Sequence, residues 1–317
     1  MGTLQDGEGM LKVSLRQLGY FVTAAETGSI AEAARMANVA QPSVSWAILK
    51  MEELLDLELF VRQHAKGVSL TAAGHRLLPQ ARSLLRMAEE FETLAQVQGH
   101  ELTGTLTVGC YSTLAPAYMP RIIAEFARQH PQVQLLIHED TVDKILDKLK
   151  SGEVEVALAY DIDLPDELLK LRVQVAPPHA VLPDGHPLLD RPAVSLEDLA
   201  GEPLILLSSK PAEHYFLSLF EAVGITPRIA HTSQSFEVVR SLVGQGRGYS
   251  VLVTRPLSDM TYDGLRVHYR PLTDAIPHQT MCTVRAQTSR MTRRCQAFQD
   301  ICVRLYSGRA DAVRAAS

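Results

Sequence analysis

The stretch GSIAEAARMANVAQPSVSWAILKMEELLDLELFVRQHAKGVSLTAAG, residues 28–74, decides how the first third of the chain folds. Ser29 with Glu32 three residues on is a capping-box pattern, which predicts a short helix over SIAEAARMA. Asn38 and Val39 make a tight turn, and Pro42 suits the first turn of a second helix, where its missing N–H costs nothing. On a wheel of about 100° per residue, Val44, Ile48, Met51 and Leu55 fall within roughly 60° of one another and form a stripe to bury. Ser43, Trp46 and Lys50 gather near the opposite side. Beyond that helix, two β-rich pieces flank HAKG and predict a small hairpin. Two helices joined by a short turn and followed by a hairpin are a winged helix-turn-helix layout. Trp46 is the chain's one tryptophan, and the wheel turns it away from the core. It either packs on a neighbouring segment or subunit, or it meets a ligand.

Upstream, LRQLGYFVTAAETG carries Leu15, Leu18, Phe21, Val22 and Ala25 at helical spacing, and Gly28 closes that helix. Downstream, Thr71 caps a long helix, AAGHRLLPQARSLLRMAEEFETLAQVQ, with Pro79 near its start as a kink point. Leu77, Leu78, Ala81, Leu84, Leu85, Ala88, Phe91 and Leu94 keep an apolar stripe along it. No neighbouring segment is left to cover that stripe, so a helix from a second subunit is the natural cover. From Leu102 the texture changes to alternating strands and helices. GTLTVGC, VQLLIHE and EVALAY form one set of strands; LRVQVA, LILLSS, PRIAHTS and YSVLV form a second. LRVHYRPL and HQTMCTVR read as strands returning to the first set, and TRRCQAFQDICVRLYS as a closing helix. This predicts parallel sheets in two α/β lobes joined by crossovers near 161–165 and 266–271. Strand ends and helix starts then face a shared cleft, where ligands bind. The expected divisions are a DNA-binding type of domain over 13–71, a linker helix over 72–99, a two-lobed domain over 100–307 and a tail over 308–317. Within the two-lobed part, lobe I takes 102–163 and 267–307, and lobe II takes 164–266.

Composition narrows the classes. A chain of 317 residues, 46% hydrophobic and 21% charged, reads as two ordinary globular domains. It has no run of 18 apolar residues, so no membrane span is expected. The N-terminus lacks the basic start, apolar middle and cleavage site of a secretory signal. Cys110, Cys282, Cys295 and Cys302 show no CxxC or zinc spacing, so reduced thiols in the cytoplasm are expected. A net charge of −5 argues against broad electrostatic binding to nucleic acid. Residues 35–86 hold a mild excess, seven basic (Arg35, Lys50, Arg62, Lys66, Arg76, Arg82, Arg86) against four acidic (Glu52, Glu53, Asp56, Glu58). DNA binding must therefore rest on a well-placed docking surface present in two or more copies.

At this point the residues resemble a known family, the LysR-type transcriptional regulators. Gly28-Ser29, Ala33-Ala34, Gln41-Pro42, Ser45, Leu59-Phe60, Arg62, Leu70-Thr71 and Gly74 all fall in the family's register, and the resemblance runs on through almost the whole chain. It implies a winged helix-turn-helix domain, a linker helix and a two-lobed α/β effector domain like a periplasmic binding protein. By that resemblance the third helix enters the major groove of double-stranded DNA. Ser29, Gln41, Pro42, Ser43, Ser45, Trp46 and Lys50 lie at the DNA side, with Arg62, His64 and Lys66 of the wing near phosphates. Trp46 stands where the family often has a basic or polar residue, so an apolar contact with a thymine methyl or a sugar is expected in its place. Leu55 is read as replacing the glycine that usually follows the helix.

The resemblance also places effector contacts at strand ends and helix starts. Mapped here these are Ser112, Thr113, Thr141, Ser208, Ser209, Ser233, Ser235 and Phe236, a hydroxyl-rich set suited to carboxylates at helix N-termini. Each serine taken singly reads as a helix cap. Asp140, Tyr160 and Asp161 also fall at predicted strand ends. Carboxylates there would attract an amine, and the alternative is a solvated rim.

Three classes compete. A DNA-binding transcription regulator controlled by a small-molecule effector in the cleft uses every segment. A redox-sensing regulator of the same fold would use its cysteines. A solute-binding transport protein would leave the first hundred residues idle. No catalytic constellation is found, so an enzyme is not expected, nor a cofactor or metal. The resemblance implies a homodimer through the linker helix and a homotetramer, with RNA polymerase as a further candidate partner.

Overall fold

The computed structural model describes residues 12–63, 67–96, 102–287 and 289–307. The chain forms two compact units, the first built on residues up to 101 with the short segments 150–153 and 288–292, the second on the rest of the chain from Leu102 onward.

The first unit begins with α1 (Leu15–Thr27). Its start is a full capping box between Ser14 and Gln17, a signal not picked out in the sequence, and Gly28 ends it in the left-handed region at φ 64°. In α2 (Ile30–Met36), Ser29 accepts from the Glu32 N–H as expected. The Glu32 carboxylate pairs with Arg35 at 2.6 Å. The third helix, α3 (Gln41–Leu55), has proline in its first turn. Its left-handed cap falls on Asp56, at φ 51° and ψ 43°. The residue in the glycine's place is therefore Asp56, one position later than the sequence reading put it, and the helix ends sharply. Val44, Ile48 and Met51 are buried with Leu18, Phe21, Val22, Leu59 and Phe60 in one core. Phe21 meets Phe60 edge to face, centroids 5.5 Å apart.

The hairpin is β1 (Phe60–Gln63) paired antiparallel with β2 (Gly67–Leu70). A Cβ at Gly67, which sits at φ 86°, would collide with the Gly28 carbonyl oxygen. That close approach lets the Val68 N–H donate to the same oxygen at 2.8 Å, tying wing to helix. Residues 64–66, with His64 and Lys66, lie outside the described residues. Thr71 caps α4 (Ala72–Gln96) by accepting from the Gly74 N–H at 3.0 Å. The early part of the α4 stripe does have a cover within the chain. Leu77, Leu78, Ala81 and Leu85 pack into the helix-turn-helix core, where α1 meets α4. Leu84 and Phe91 stay outside it, 47% and 73% exposed.

The second unit holds two lobes. In lobe I the sheet order is β4 (Val133–Asp140), β3 (Gly104–Tyr111), β5 (Val156–Tyr160), β12 (Gln279–Ala286), β6 (Leu168–Ala176). Strand β3 pairs parallel with β4 and β5, whereas β12 runs antiparallel to both its neighbours. Helices α5 (Ala115–Gln129), α6 (Val142–Lys150) and α9 (Arg293–Tyr306) belong to this lobe and bury Met119, Ile122, Phe126, Ile145 and Phe298 in its core. In lobe II, β8 (Pro203–Leu207) pairs parallel with β9 (Arg228–Ser233), and β7 (His179–Pro183) pairs antiparallel with β10 (Ser250–Leu252) and β11 (Val267–Pro271). A bridge from Leu204 to Tyr249 joins the two groups. Helices α7 (Ala212–Ala222) and α8 (Phe236–Gly244) pack on β8.

The two lobes follow the α/β expectation, with two corrections. The sheets are mixed rather than wholly parallel. Strand β6 belongs to the lobe I sheet and β11 to lobe II, the reverse of the sequence assignment. The crossovers therefore fall at 176–179 and 271–279, not near 161–165 and 266–271. Both strands have ordinary strand patterning; which sheet they join depends on the partner edge they meet, and that information is not local.

Candidate functional site

Along α3, Gln41, Pro42, Ser43, Trp46 and Lys50 are exposed, and Ser45 is half-buried. Trp46 is 67% exposed, the largest apolar surface on this helix. The residues at its flanks face the core, so the amphipathic wheel itself drives the tryptophan outward. Sequence reading missed what stands beside it. The start of α1 runs next to α3, and Lys12, Ser14, Arg16, Gln17 and Tyr20 line a groove with Trp46, Ala47, Lys50 and Leu54. The Gln17 side chain donates to the Ala47 carbonyl at 3.3 Å and fixes one helix against the other. Three cations, Lys12, Arg16 and Lys50, thus flank one aromatic ring. Lys50 also pairs with Glu53 at 2.8 Å, on the surface where such a pair is weak. A signal was available: KVSLRQ, at the entry to the first helix, carries two of these cations. Ser29 is spent capping α2. Arg62 lies on β1, where its backbone pairs with Val68.

The second region is the cleft between the lobes. Tyr111, the last residue of β3, and Tyr160, the last of β5, project from lobe I into it. The Tyr111 hydroxyl hydrogen-bonds Ser209 of lobe II at 2.7 Å. The Tyr160 hydroxyl does the same with Thr254 of lobe II, also at 2.7 Å. Both pairs are buried. Burial raises the hydroxyl of Tyr111 above the ordinary tyrosine range and that of Tyr160 well above it, so both are neutral. Thr113, Ile162, Leu207, Phe216, Phe236 and Leu252 complete most of the wall. The space left between them is about 10 Å³, roughly enough for one water. The lobes are closed on each other.

Of the expected effector residues, the structure brings Thr113, Tyr160 and Phe236 to this cleft, with Ser209 bonded at its edge. Tyr111 and Thr254 were missed, although both end or follow strands on the cleft side, where open α/β sheets bind ligands. The other positions lie elsewhere. Ser235 caps α8, and Ser233 accepts from the Ser235 N–H at 3.1 Å. The Ser208 N–H is taken by the Ser233 carbonyl and the Ser112 N–H by the Asp140 carbonyl. Asp140 accepts from the Thr141 N–H at 2.8 Å and pairs with Lys144 at 3.1 Å; these contacts lower its pKa. Asp161 pairs with Lys170 at 2.8 Å. Neither acid lines the cleft.

The four cysteines are free and buried, each at most 2% exposed. Burial pushes the Cys282 thiol up to about 12 and raises Cys110 and Cys302 as well. Peroxide chemistry needs an accessible thiolate, and these are inaccessible thiols. Among the described residues no cluster of His, Cys, Asp and Glu is arranged to hold a metal ion.

Comparison with known proteins settles the ancestry. Residues 15–75 match the model of the bacterial regulatory helix-turn-helix protein, lysR family, and residues 99–307 match the LysR substrate binding domain. The chain belongs to the LysR family of transcriptional regulators. Among solved structures, the LysR family regulator HinK from Pseudomonas aeruginosa is 40% identical, with 92% of this chain and 98% of that one covered and a TM-score of 0.61. A full-length OxyR variant from the same organism is 25% identical over 92% of this chain and 98% of that one, with a TM-score of 0.71. Among curated relatives, the Bacillus subtilis HTH-type regulator YvbU is 32% identical over 78% of this chain and 84% of its own length. As a LysR-type regulator the chain is not an enzyme. It is a DNA-binding regulator with a two-lobed effector-binding domain, and no described helix is long and apolar enough to cross a membrane.

Proposed function

We propose that this LysR-type regulator works in the cytoplasm as a homodimer that pairs into a homotetramer, reads DNA through α3 and is switched by closure of its cleft. The observation that carries the DNA reading is Trp46, exposed at the middle of α3 beside Lys12, Arg16 and Lys50. Gln41, Ser43 and Ser45 reach base edges in the major groove, and Trp46 covers a thymine methyl or sugar. Lys12, Arg16, Lys50 and the wing residues Arg62, His64 and Lys66 stand by phosphates, which fix register and bring salt dependence.

Dimerisation is supported by Leu84 and Phe91, apolar and exposed on α4 although the rest of its early stripe is packed. A second copy of α4 covers them. Two copies of α3 then meet two half-sites of an inverted repeat. Effector binding opens or re-seats the lobes at the Tyr111–Ser209 and Tyr160–Thr254 pairs, and RNA polymerase answers the rearranged complex. Only a molecule that binds the two arrangements unequally can shift that balance. The redox alternative, which the OxyR relatives bring forward, finds no support in the four buried thiols.

The test is selection of duplexes from a random pool by the full-length protein. An inverted repeat, lost with Trp46→Ala and Lys50→Ala, is expected. Recovery of no preferred sequence, or selection unchanged in both variants, would overturn the α3 reading.

A further inference from the structure

The nature of the cleft wall says more than its position, given the reading that the cleft takes the effector. None of the described residues lining it is Asp, Glu, Lys, Arg or His. Several charged groups near the wall are committed elsewhere, and Lys210, next to Ser209, is exposed and outside the wall. Asp140 is paired with Lys144 and Asp161 with Lys170, and Glu237 of α8 is paired with the buried Arg240 at 2.6 Å. Lys170 donates in addition to the Leu164 carbonyl. A charged ligand would enter an apolar space with no counter-ion, and such a group is strongly disfavoured there. The polar groups the cleft does offer are hydroxyls. In each inter-lobe pair either oxygen can be the donor, so each can turn to donate to a ligand or to accept from one. Around them stand Ile162, Leu207, Phe216, Phe236 and Leu252, aromatic faces and branched aliphatics that suit a flat apolar body.

We propose that the effector is a small uncharged molecule with an apolar, ring-sized body and one or two hydroxyl or carbonyl groups. Its polar groups take the Tyr111 and Tyr160 hydroxyls in place of Ser209 and Thr254, and its body fills the space created when the lobes part. This differs from both the carboxylate and the amine expected from the sequence. Hydroxyls near a helix start suit an anion only if they are unspent and face the site. Here Ser235 is spent on its helix and Ser112, Ser208 and Ser233 lie outside the wall.

Three probes of one shape separate the charge classes: benzyl alcohol, benzoate and benzylamine. Each is titrated into the full-length protein at neutral pH, with equilibrium dialysis for affinity and melting temperature as a second readout. Benzyl alcohol is expected to bind at least tenfold more tightly than either charged probe. Tyr111→Phe and Tyr160→Phe, which keep the ring and remove the hydroxyl, should each weaken it severalfold. Ser209→Ala works in the opposite direction. It releases the lobe contact but leaves the tyrosine hydroxyl for the ligand, so benzyl alcohol binds more tightly. That pair of opposite shifts keeps the test decisive if one tyrosine variant fails to fold. Tighter binding of benzoate or benzylamine, weakened by the same tyrosine variants, would overturn the uncharged class and leave the cleft as the effector site. Binding that ignores all three substitutions would overturn the cleft as well. If no probe binds while the protein still selects an operator, the ring-sized neutral ligand is wrong and the DNA reading stands.

Discussion

Replacing Trp46 with alanine separates a DNA-facing residue from a hidden core residue. A tryptophan side chain carries up to about 250 Å² of surface, and Trp46 is 67% exposed, so about a third of it is covered by its own fold. At about 25 cal/mol per Å² that third is about 2 kcal/mol as an upper bound. A compact unfolded chain lowers the figure by 10–40% in rough terms, and alanine's better helix propensity returns about 0.5 kcal/mol. The net loss of stability is about 1 kcal/mol, a shift of a few degrees in melting temperature. Operator binding should suffer more. Covering half of the exposed surface on DNA contributes about 2 kcal/mol per half-site, about thirtyfold in affinity. Because no phosphate contact is lost, the dependence on salt should keep its slope. Anisotropy of a labelled operator measures the affinity. Quenching of the wild-type protein's own emission checks the contact directly, since Trp46 is its one tryptophan. A melting temperature lowered by many degrees with affinity unchanged would refute the reasoning and make Trp46 part of a protein–protein contact.

Further expectations concern the rest of the molecule. Asp56→Gly should stabilise the first unit by about 0.5–1 kcal/mol, since glycine removes a left-handed strain of about 1–2 kcal/mol and costs about 0.5–1 in chain entropy; thermal melting decides it. Phe91→Glu should shift the protein toward monomer in sedimentation, because Phe91 is 73% exposed among the described residues; an unchanged sedimentation coefficient would remove α4 as the dimer seam. The four thiols should resist N-ethylmaleimide in the native protein and react on denaturation, given their burial; fast labelling of any one would revive the redox alternative. His179 is half-buried with its Nε2 enclosed and without a hydrogen-bond partner among the described residues, and burial of the ring followed by the charge of Arg255 lowers its pKa to about 3. The unfolded chain therefore binds this proton first, so stability falls as pH drops from about 6.5 toward that value. His179→Phe, which keeps the ring packing on Tyr269, should narrow the gap between melting temperatures at neutral and mildly acid pH; an identical gap would mean His179 is not the group responsible.

The winged helix-turn-helix was legible because its signals are local: a cap at Ser29, a proline at position 42, a stripe at helical spacing and a hairpin around residues 64–66. The outward turn of Trp46 came from the same periodicity. What could not be read was tertiary. Lys12 and Arg16 join the α3 surface only because α1 lies alongside. Strands β6 and β11 have ordinary strand patterns, and the sheet each joins is set by an edge far away in sequence. The cleft was found in outline from the rule that strand ends face it. Asp140 and Asp161 sit at strand ends yet pair with lysines outside the wall, and Tyr111 lies one residue past the strand predicted from GTLTVGC.

Two of the inter-lobe contacts are pairs of neutral hydroxyls, and their neutrality has an operational consequence. Coulombic screening acts strongly on lysines and arginines along a phosphate backbone and hardly at all on a buried hydroxyl pair. Ionic strength therefore becomes a selective control. Raising it should weaken the grip on DNA while leaving the affinity for effector nearly constant. The same pairs carry no proton that moves at neutral pH, so an effector held by them would keep its affinity as the pH around the regulator drifts.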